Sequence, residues 1–451
     1  MRHDPSLHPA THTAISRSEL LGAFSYALDM TEGQPAGHSL RCSYIALRLA
    51  DLLGLEREER AELRYAVLLK DLGCSSNSAR IAELYLTDDR AFKQSWKTIA
   101  PGLPATLRFV FEQTGREASL GRRISAVKHI LTHGDDVAQE MIESRCTRGA
   151  AIARDLRFPE VVATAIFHLD ERWDGSGRPD RLASDAIPLY SRIALLAQVV
   201  DVFYRQGGKE AACFEISRRS GSWFDPRLAA TFARLAEEPG FWINLSSPFL
   251  EAKLAGEADD AQEPVDEDYL DAVAAAFGKV IDAKSPFTSG HSERVADYAE
   301  RMASGMGLVP SRVRQLRRAA ALHDVGKLGV SSTILEKPGR LDAEEWSEMR
   351  DHAVHTHAIL SHIGAFSEMA RIAASHHEKL DGTGYPLGLA DQNIVRETRI
   401  ITTCDFYDAL TADRPYRAAM PQEKALAIIG SEVGTALDAE CFEMLKQIVC
   451  D

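Results

Sequence analysis

Five histidines and two aspartates stand out in the second half of the chain: His291, His323, Asp324, His352, His376, His377 and Asp405. Most lie on stretches whose apolar residues recur at helical spacing. Neutral imidazole nitrogens combined with carboxylate oxygens suit Mn²⁺, Fe²⁺ or Zn²⁺, and the absence of thiolates argues against a closed structural zinc site. Seven ligands exceed what one ion that also binds water can use. They suit two ions sharing a carboxylate, most naturally Asp324. Ions roughly 3.5–4 Å apart can generate a hydroxide and clamp a phosphate in line. The stretch from Ala321 to Lys327 reads as helix, which would put His323 and Lys327 on one face with Asp324 at its flank. Such a cluster is costly to bury unless it is paired or binds metal.

The elements that hold these groups are expected to be helices. The chain has 451 residues, 45% apolar and 26% charged, as in an ordinary soluble protein of two or three domains. Ala, Leu, Arg and Glu recur at helical spacing and alternating β-branched runs are few, so the expected class is all-α. A net charge of −14 argues against a DNA- or RNA-duplex-binding surface. No apolar run approaches the roughly 20 residues of a membrane span. Residues 1–16 form a polar, flexible N-terminus without a signal peptide's apolar core, so the expected location is cytoplasmic. Seven scattered cysteines with no C-x-x-C pair fit reduced thiols.

The chain also repeats itself. At an offset of 253 residues, Gly37-His38-Ser39 lies over Gly290-His291-Ser292, Arg41 over Arg294, and Asp71-Leu72-Gly73 over Asp324-Val325-Gly326. Further on the offset is 207: Asp174-Gly-Ser-Gly177 lies over Asp381-Gly-Thr-Gly384, and Arg192-Ile193 over Arg399-Ile400. The drop from 253 to 207 places 46 extra residues in the first copy, between Cys74 and Arg145. A period this long means a duplicated domain rather than a solenoid. The expected division is a first copy over 17–250, an acidic linker over 251–268 and a second copy over 269–451.

Three spaced motifs of the second copy carry a resemblance. They are His323-Asp-Val-Gly-Lys327, His376-His-Glu-Lys-Leu-Asp-Gly-Thr-Gly-Tyr-Pro386, and Asp405-Phe-Tyr-Asp-Ala-Leu-Thr-Ala-Asp-Arg-Pro-Tyr-Arg417. In these, residues 285–418 resemble the HD-GYP family of the HD phosphohydrolase superfamily. The resemblance implies an all-helical domain and a phosphodiesterase for cyclic dinucleotides in second-messenger signalling. Cyclic di-GMP is the default substrate, 3′,3′-cyclic GMP-AMP the nearest rival, and a metal-bridged hydroxide the nucleophile. It implies that the seven residues above ligate metal, with iron or manganese expected, and that Asp324 and Lys327 are catalytic. It further implies that Lys327 meets the scissile phosphate, that Tyr385 contacts the ligand, and that Arg414 and Arg417 hold phosphates. Members with a third metal have a Glu where this chain has Phe287, so two metals are expected. The family's His-Pro-x-x-Gly reads His352-Ala-Val-His-Thr356 here. Glu378 and Asp408 are expected to orient the imidazoles or the tyrosine loop.

The first copy keeps only His38 and Asp71 of the seven. Lys70, Arg145, Leu169, Asp170 and Gln198 stand over His323, His352, His376, His377 and Asp405. It is expected to be a non-catalytic HD-GYP-like half with internal ion pairs where metals would sit. A structural, dimerising role and a regulatory ligand or partner held through Arg145 and Arg178 are both compatible with that loss. For the whole chain, the competing readings are a broader phosphohydrolase and a non-catalytic nucleotide-binding module.

Overall fold

The computed structural model describes residues 17–99, 103–116, 118–257, 266–285, 290–413 and 417–450. The N-terminus 1–16, Phe287 and Arg414 lie outside them. The first copy comprises α1 (Arg17–Thr31), α2 (His38–Leu53), α3 (Arg57–Leu68), α4 (Ser78–Tyr85), α5 (Asp89–Trp96), α6 (Leu103–Gln113), α7 (Leu120–Asp155), α8 (Glu160–Phe167), α9 (Leu189–Arg219), α10 (Pro226–Leu235), α11 (Pro239–Leu245) and α12 (Leu250–Glu257). The second comprises α13 (Glu267–Asp282), α14 (His291–Gly305), α15 (Pro310–Leu322), α16 (Ser332–Leu335), α17 (Ala343–Ser361), α18 (Ser367–Ala374), α19 (Arg396–Thr411), α20 (Gln422–Ser431) and α21 (Ala439–Cys450). Among the described residues there is no β-strand, only isolated bridges. The expected linker is helical at both ends, in α12 and α13. Its middle, 258–265, lies outside the described residues.

Local signals set these helices. Asp342 caps α17 in a reciprocal box with Glu345, satisfying end amides on both sides. In α14 the buried residues Val295, Ala296, Ala299, Met302 and Ala303 trace one apolar stripe. The matching stripe of α2 buries Cys42, Ile45, Ala46, Leu49 and Ala50.

The two copies reproduce each other in contacts as well as in letters. Gly37 and Gly290 open α2 and α14 in the left-handed region, at φ 80 and 69°. Ser39 donates its hydroxyl to Asp29 at 2.7 Å, and Ser292 to Asp282 at 2.8 Å. A Cβ on Gly73 would lie 1.9 Å from the Arg145 carbonyl oxygen, and one on Gly326 would lie 1.9 Å from that of His352. Only glycine lets the turn after the aspartate approach the facing helix so closely. That contact also aligns Arg145 with His352 in space. The extra residues of the first copy build α5, α6 and the first part of α7, which runs 36 residues against 19 in α17.

The copies do not hang apart. One continuous apolar core runs through both. Phe24 of α1 stacks on Phe277 of α13 with ring centroids 3.7 Å apart. Met30 reaches the Gly329 turn, and Tyr26 meets His362 at 4.5 Å. Each buried phenylalanine contributes about 1.5–3 kcal/mol, so α1 joins the copies by packing rather than by a tether.

Candidate metal centre

Five separate segments bring the predicted ligands together. His291 opens α14, His323 follows the last residue of α15, His352 lies within α17, His376 and His377 follow α18, and Asp405 lies within α19. Asp324 leads into a 3₁₀ turn over Val325–Gly329. This corrects the expected continuous helix through Lys327. The α-helix stops at Leu322, because the turn must press Gly326 against the His352 carbonyl. Lys327 therefore reaches Asp324 from a tighter turn, three residues on, and pairs with its Oδ2.

The geometry divides around Asp324. Its Oδ2 lies 3.4 Å from Nε2 of both His291 and His323. Its Oδ1 lies 3.6 Å from Nε2 of His352 and 3.8 Å from Nε2 of His376. Asp405 Oδ1 closes the first side, 3.4 Å from His291 and 3.7 Å from His323. His377 closes the second, its ring 4.0 Å from His376 and 5.0 Å from His352. Among the described residues three groups at this centre are compact enough to hold a cation: His291, His323 and Asp324; His352, His376 and His377; and, spanning the two sides, His323, His376 and Asp405.

The surroundings aim the lone pairs inward. His323, His352 and His376 each bond Nδ1 to the carbonyl three residues back, at Ala320, Met349 and Ala373, within 2.6–2.7 Å. With Nδ1 as donor, Nε2 is the acceptor facing the cluster, where that of His323 lies 3.3 Å from His291 Nε2. His291 instead bonds Nδ1 to Asp408 at 2.7 Å, and Arg294 holds the same carboxylate at 2.6 Å. Thr356 ties the parts together, donating to His323 O and accepting from Gly326 N, both at 3.0 Å.

Burial holds His352 near pKa 4 and His377 near 3, and pushes His376 well below its ordinary value, so these imidazoles stay neutral. Burial opposes charge on His291 too, but the Asp324 and Asp408 carboxylates outweigh it and raise its pKa to about 9. Asp324 is buried as well, yet Lys327 and His323 hold its carboxyl well below the usual range. The cluster thus favours positive charge between its carboxylates. A cation fits it on a further ground: Asp324 Oδ1, His352 Nε2 and His376 Nε2 are buried with no hydrogen-bond partner.

Three predicted contacts with substrate fare differently. Tyr385 stands at the cluster, its ring 4.7 Å from that of His377. Its loop is shaped by Glu378, which accepts Leu387 N at 2.6 Å and Leu389 N at 2.8 Å. Lys327 is in place. Arg417 donates to the carbonyls of Ala409, Leu410 and Ala418, closing the C-terminal end of α19. Ala409 and Leu410 lie in the last turn of α19, where carbonyls lack helical donors, and they engage the guanidinium. The residue that sequence reasoning missed is Arg350, exposed on α17 with its guanidinium 5.4 Å from the Tyr385 ring. No motif marks it; only the fold brings it beside Tyr385.

At the corresponding place in the first copy, cations replace the imidazoles. His38 bonds Asp201 at 2.7 Å and Arg41 bonds it at 2.6 Å, repeating the His291, Asp408 and Arg294 arrangement. Beyond that, Lys70 pairs with Asp71 and Arg145 with Asp170. Lys97 reaches Glu32 at 2.8 Å. Arg178 is likewise engaged, by Gln139 and Asp135. His168, one position from the place of His376, is turned to Thr164 O and Asp180.

Comparison with known proteins agrees with this architecture. A family profile described as HD domain matches residues 123–228 and 276–441. The chain is 50% identical over 431 residues to a 3′3′-cGAMP-specific phosphodiesterase 3 of Vibrio cholerae, covering 95% of this chain and 94% of that protein. A cyclic di-GMP phosphodiesterase response regulator of Xanthomonas campestris is 36% identical over 171 residues, covering 38% of this chain and 45% of that protein. A crystal structure of a cyclic GMP-AMP specific phosphodiesterase of V. cholerae superposes with a TM-score of 0.67 at 43% identity, covering 97% of this chain and 98% of that one. With the HD pair, the Gly-Tyr-Pro loop and the helical cage around them in place, the chain belongs to the HD-GYP family of HD-domain phosphohydrolases.

Proposed function

We propose that the second copy is a metal-dependent phosphodiesterase for cyclic dinucleotides and that 3′,3′-cyclic GMP-AMP is its preferred substrate. The carrying observation is the split of Asp324, whose two oxygens face two different pairs of imidazoles. His291, His323, Asp324 and Asp405 would hold one ion, and Asp324, His352, His376 and His377 the other. When bound, two divalent ions, iron or manganese, supply Lewis acidity and a nucleophile at neutral pH.

The chain's own residues do the rest. Asp408 and the three helix carbonyls fix the tautomer and orientation of His291, His323, His352 and His376. The Lys327 ammonium, less buried than Asp324, faces the side from which a phosphate enters and offsets charge building on its oxygens. Tyr385 offers a ring face to a base, and Arg350 beside it offers a cation to the second phosphate. Arg417 takes no part. The first copy, its centre filled by Lys70 and Arg145, is not catalytic.

The motifs alone favour cyclic di-GMP. The mixed dinucleotide is preferred here because the relatives that align along nearly the full chain are named for it, whereas the cyclic di-GMP enzyme aligns with little more than a third. The test is turnover of both dinucleotides by the full-length protein loaded with Mn²⁺ or Fe²⁺, followed by chromatography. Hydrolysis with a higher kcat/KM for 3′,3′-cyclic GMP-AMP is expected. Hydrolysis of neither dinucleotide would contradict the activity, and a preference for cyclic di-GMP would contradict the substrate.

A further inference from the structure

Helix α5 belongs to the first copy's extra residues, yet its N-terminal end is built into the second copy. Asp89, fully buried, accepts the Ser332 amide at 2.8 Å. Its other oxygen lies 3.7 Å from the Lys284 ammonium, which donates to Leu328 O at 3.0 Å. Arg90 donates to Gly329 O and, at 2.6 Å, to Glu348. The same Glu348 oxygen accepts the Ser331 amide at 3.1 Å. Leu328, Gly329, Ser331 and Ser332 are the residues just after Lys327, and Glu348 lies one helical turn before His352. Arg90 therefore ties the Lys327 turn to the helix that carries His352.

The C-terminal end of α5 is anchored in the first copy's own centre. Lys93 donates to Thr31 O, to Cys74 O and to Ser78 Oγ, and lies 3.5 Å from Glu32. Lys97, just past the helix, pairs with Glu32 at 2.8 Å. Glu32 stands with Asp71 and Cys74 in one tight group, and these two align with Asp324 and Lys327. Burial alone would raise the Glu32 carboxyl, but Lys97 and Lys93 bring it down to about 2, so it is a fixed anion. Lys93 also lies 3.6 Å from Asp89, joining the two ends of the helix.

We propose that the Glu32 pocket beside the first copy's former metal position is the socket for α5, and that Asp89 and Arg90 are positioning residues for Lys327 and His352 in the second copy. This rests on the phosphodiesterase reading above. It gives the non-catalytic copy a defined part in catalysis without any ligand of its own. Lys327 must meet a phosphate within a fraction of an ångström, and a misplacement of about 1 Å costs roughly a hundredfold.

The test uses the full-length protein loaded with Mn²⁺ and the preferred dinucleotide. Arg90→Ala is expected to lower kcat about ten- to a hundredfold with KM within about twofold and the metal-to-protein ratio unchanged. Arg90→Lys, able to meet one of the two acceptors, should recover part of kcat. Glu32→Gln, at the socket, should lower kcat in the same way. Arg80→Ala, an exposed ion-pair variant on α4, should match the wild type. Wild-type kcat in Arg90→Ala, or a lowered melting temperature with kcat intact, would overturn the proposal, as would a loss confined to KM or accompanied by loss of metal. An inactive wild type would instead overturn the functional reading.

Discussion

Asp324 Oδ1 and His352 Nε2 face each other at 3.6 Å, both buried, neither with a hydrogen-bond partner. Two acceptors in such opposition repel unless a cation stands between them. On the other side of the same carboxylate, His291 and His323 approach Oδ2 at 3.4 Å. Asp324 thus turns its two oxygens toward different imidazoles, as the proposed pair of ions requires.

The orientation of His291 depends on Asp408. Asp408→Asn keeps the shape but weakens the hold on the imidazole and on Arg294. Metal affinity or kcat should fall about 10–100-fold. Metal titration followed by calorimetry measures the first, and steady-state turnover the second.

Arg350 is expected to act on binding. Arg350→Ala should raise KM for the dinucleotide about tenfold and change kcat little, since a charge-assisted contact is worth about 1.5–3 kcal/mol. Saturation kinetics separate the two. An unchanged KM would remove Arg350 from the substrate's surroundings.

The gathering of these seven residues was legible because each is chemically distinctive and the motifs follow in order. The duplication was legible because glycines and aspartates at the turns repeat. Other features were not. The break after Leu322 is imposed by the His352 carbonyl pressing on Gly326, 26 residues away in sequence. Arg417 sits in a motif whose cationic spacing suits phosphate, but the open end of α19 claims it. Arg90 and Arg350 carry no signal in the sequence, because their partners come from other segments.

Lys70 supplies the positive charge at the first copy's centre. Lys70→Ala leaves the buried Asp71 without its closest partner and should lower the unfolding free energy by about 3–5 kcal/mol. The metal-to-protein ratio should stay at the wild-type value. Denaturant titration and metal analysis report the two.

Lys284 makes stability depend on alkaline pH. Burial, outweighing the attraction of Asp89, brings its pKa down to about 8, with Lys93 and Arg90 adding to the drop and Asp88 opposing it. The unfolded chain holds that proton up to its ordinary value near 10.5. Between these values the unfolded state binds more protons, so folding becomes more favourable as pH rises through the window. The stability difference between wild type and Lys284→Met should shift toward the wild type from pH 8 to 10 in paired denaturant titrations. A shift in the opposite sense would mean that Lys284 stays charged in its site.

The most direct measurement is the metal-to-protein ratio of the full-length protein after loading and desalting, repeated for Asp324→Ala and Asp71→Ala. Two divalent ions per chain are expected in the wild type and in Asp71→Ala, and close to none in Asp324→Ala. Ions retained in Asp324→Ala, or lost on changing Asp71, would contradict the assignment of the centre to the second copy.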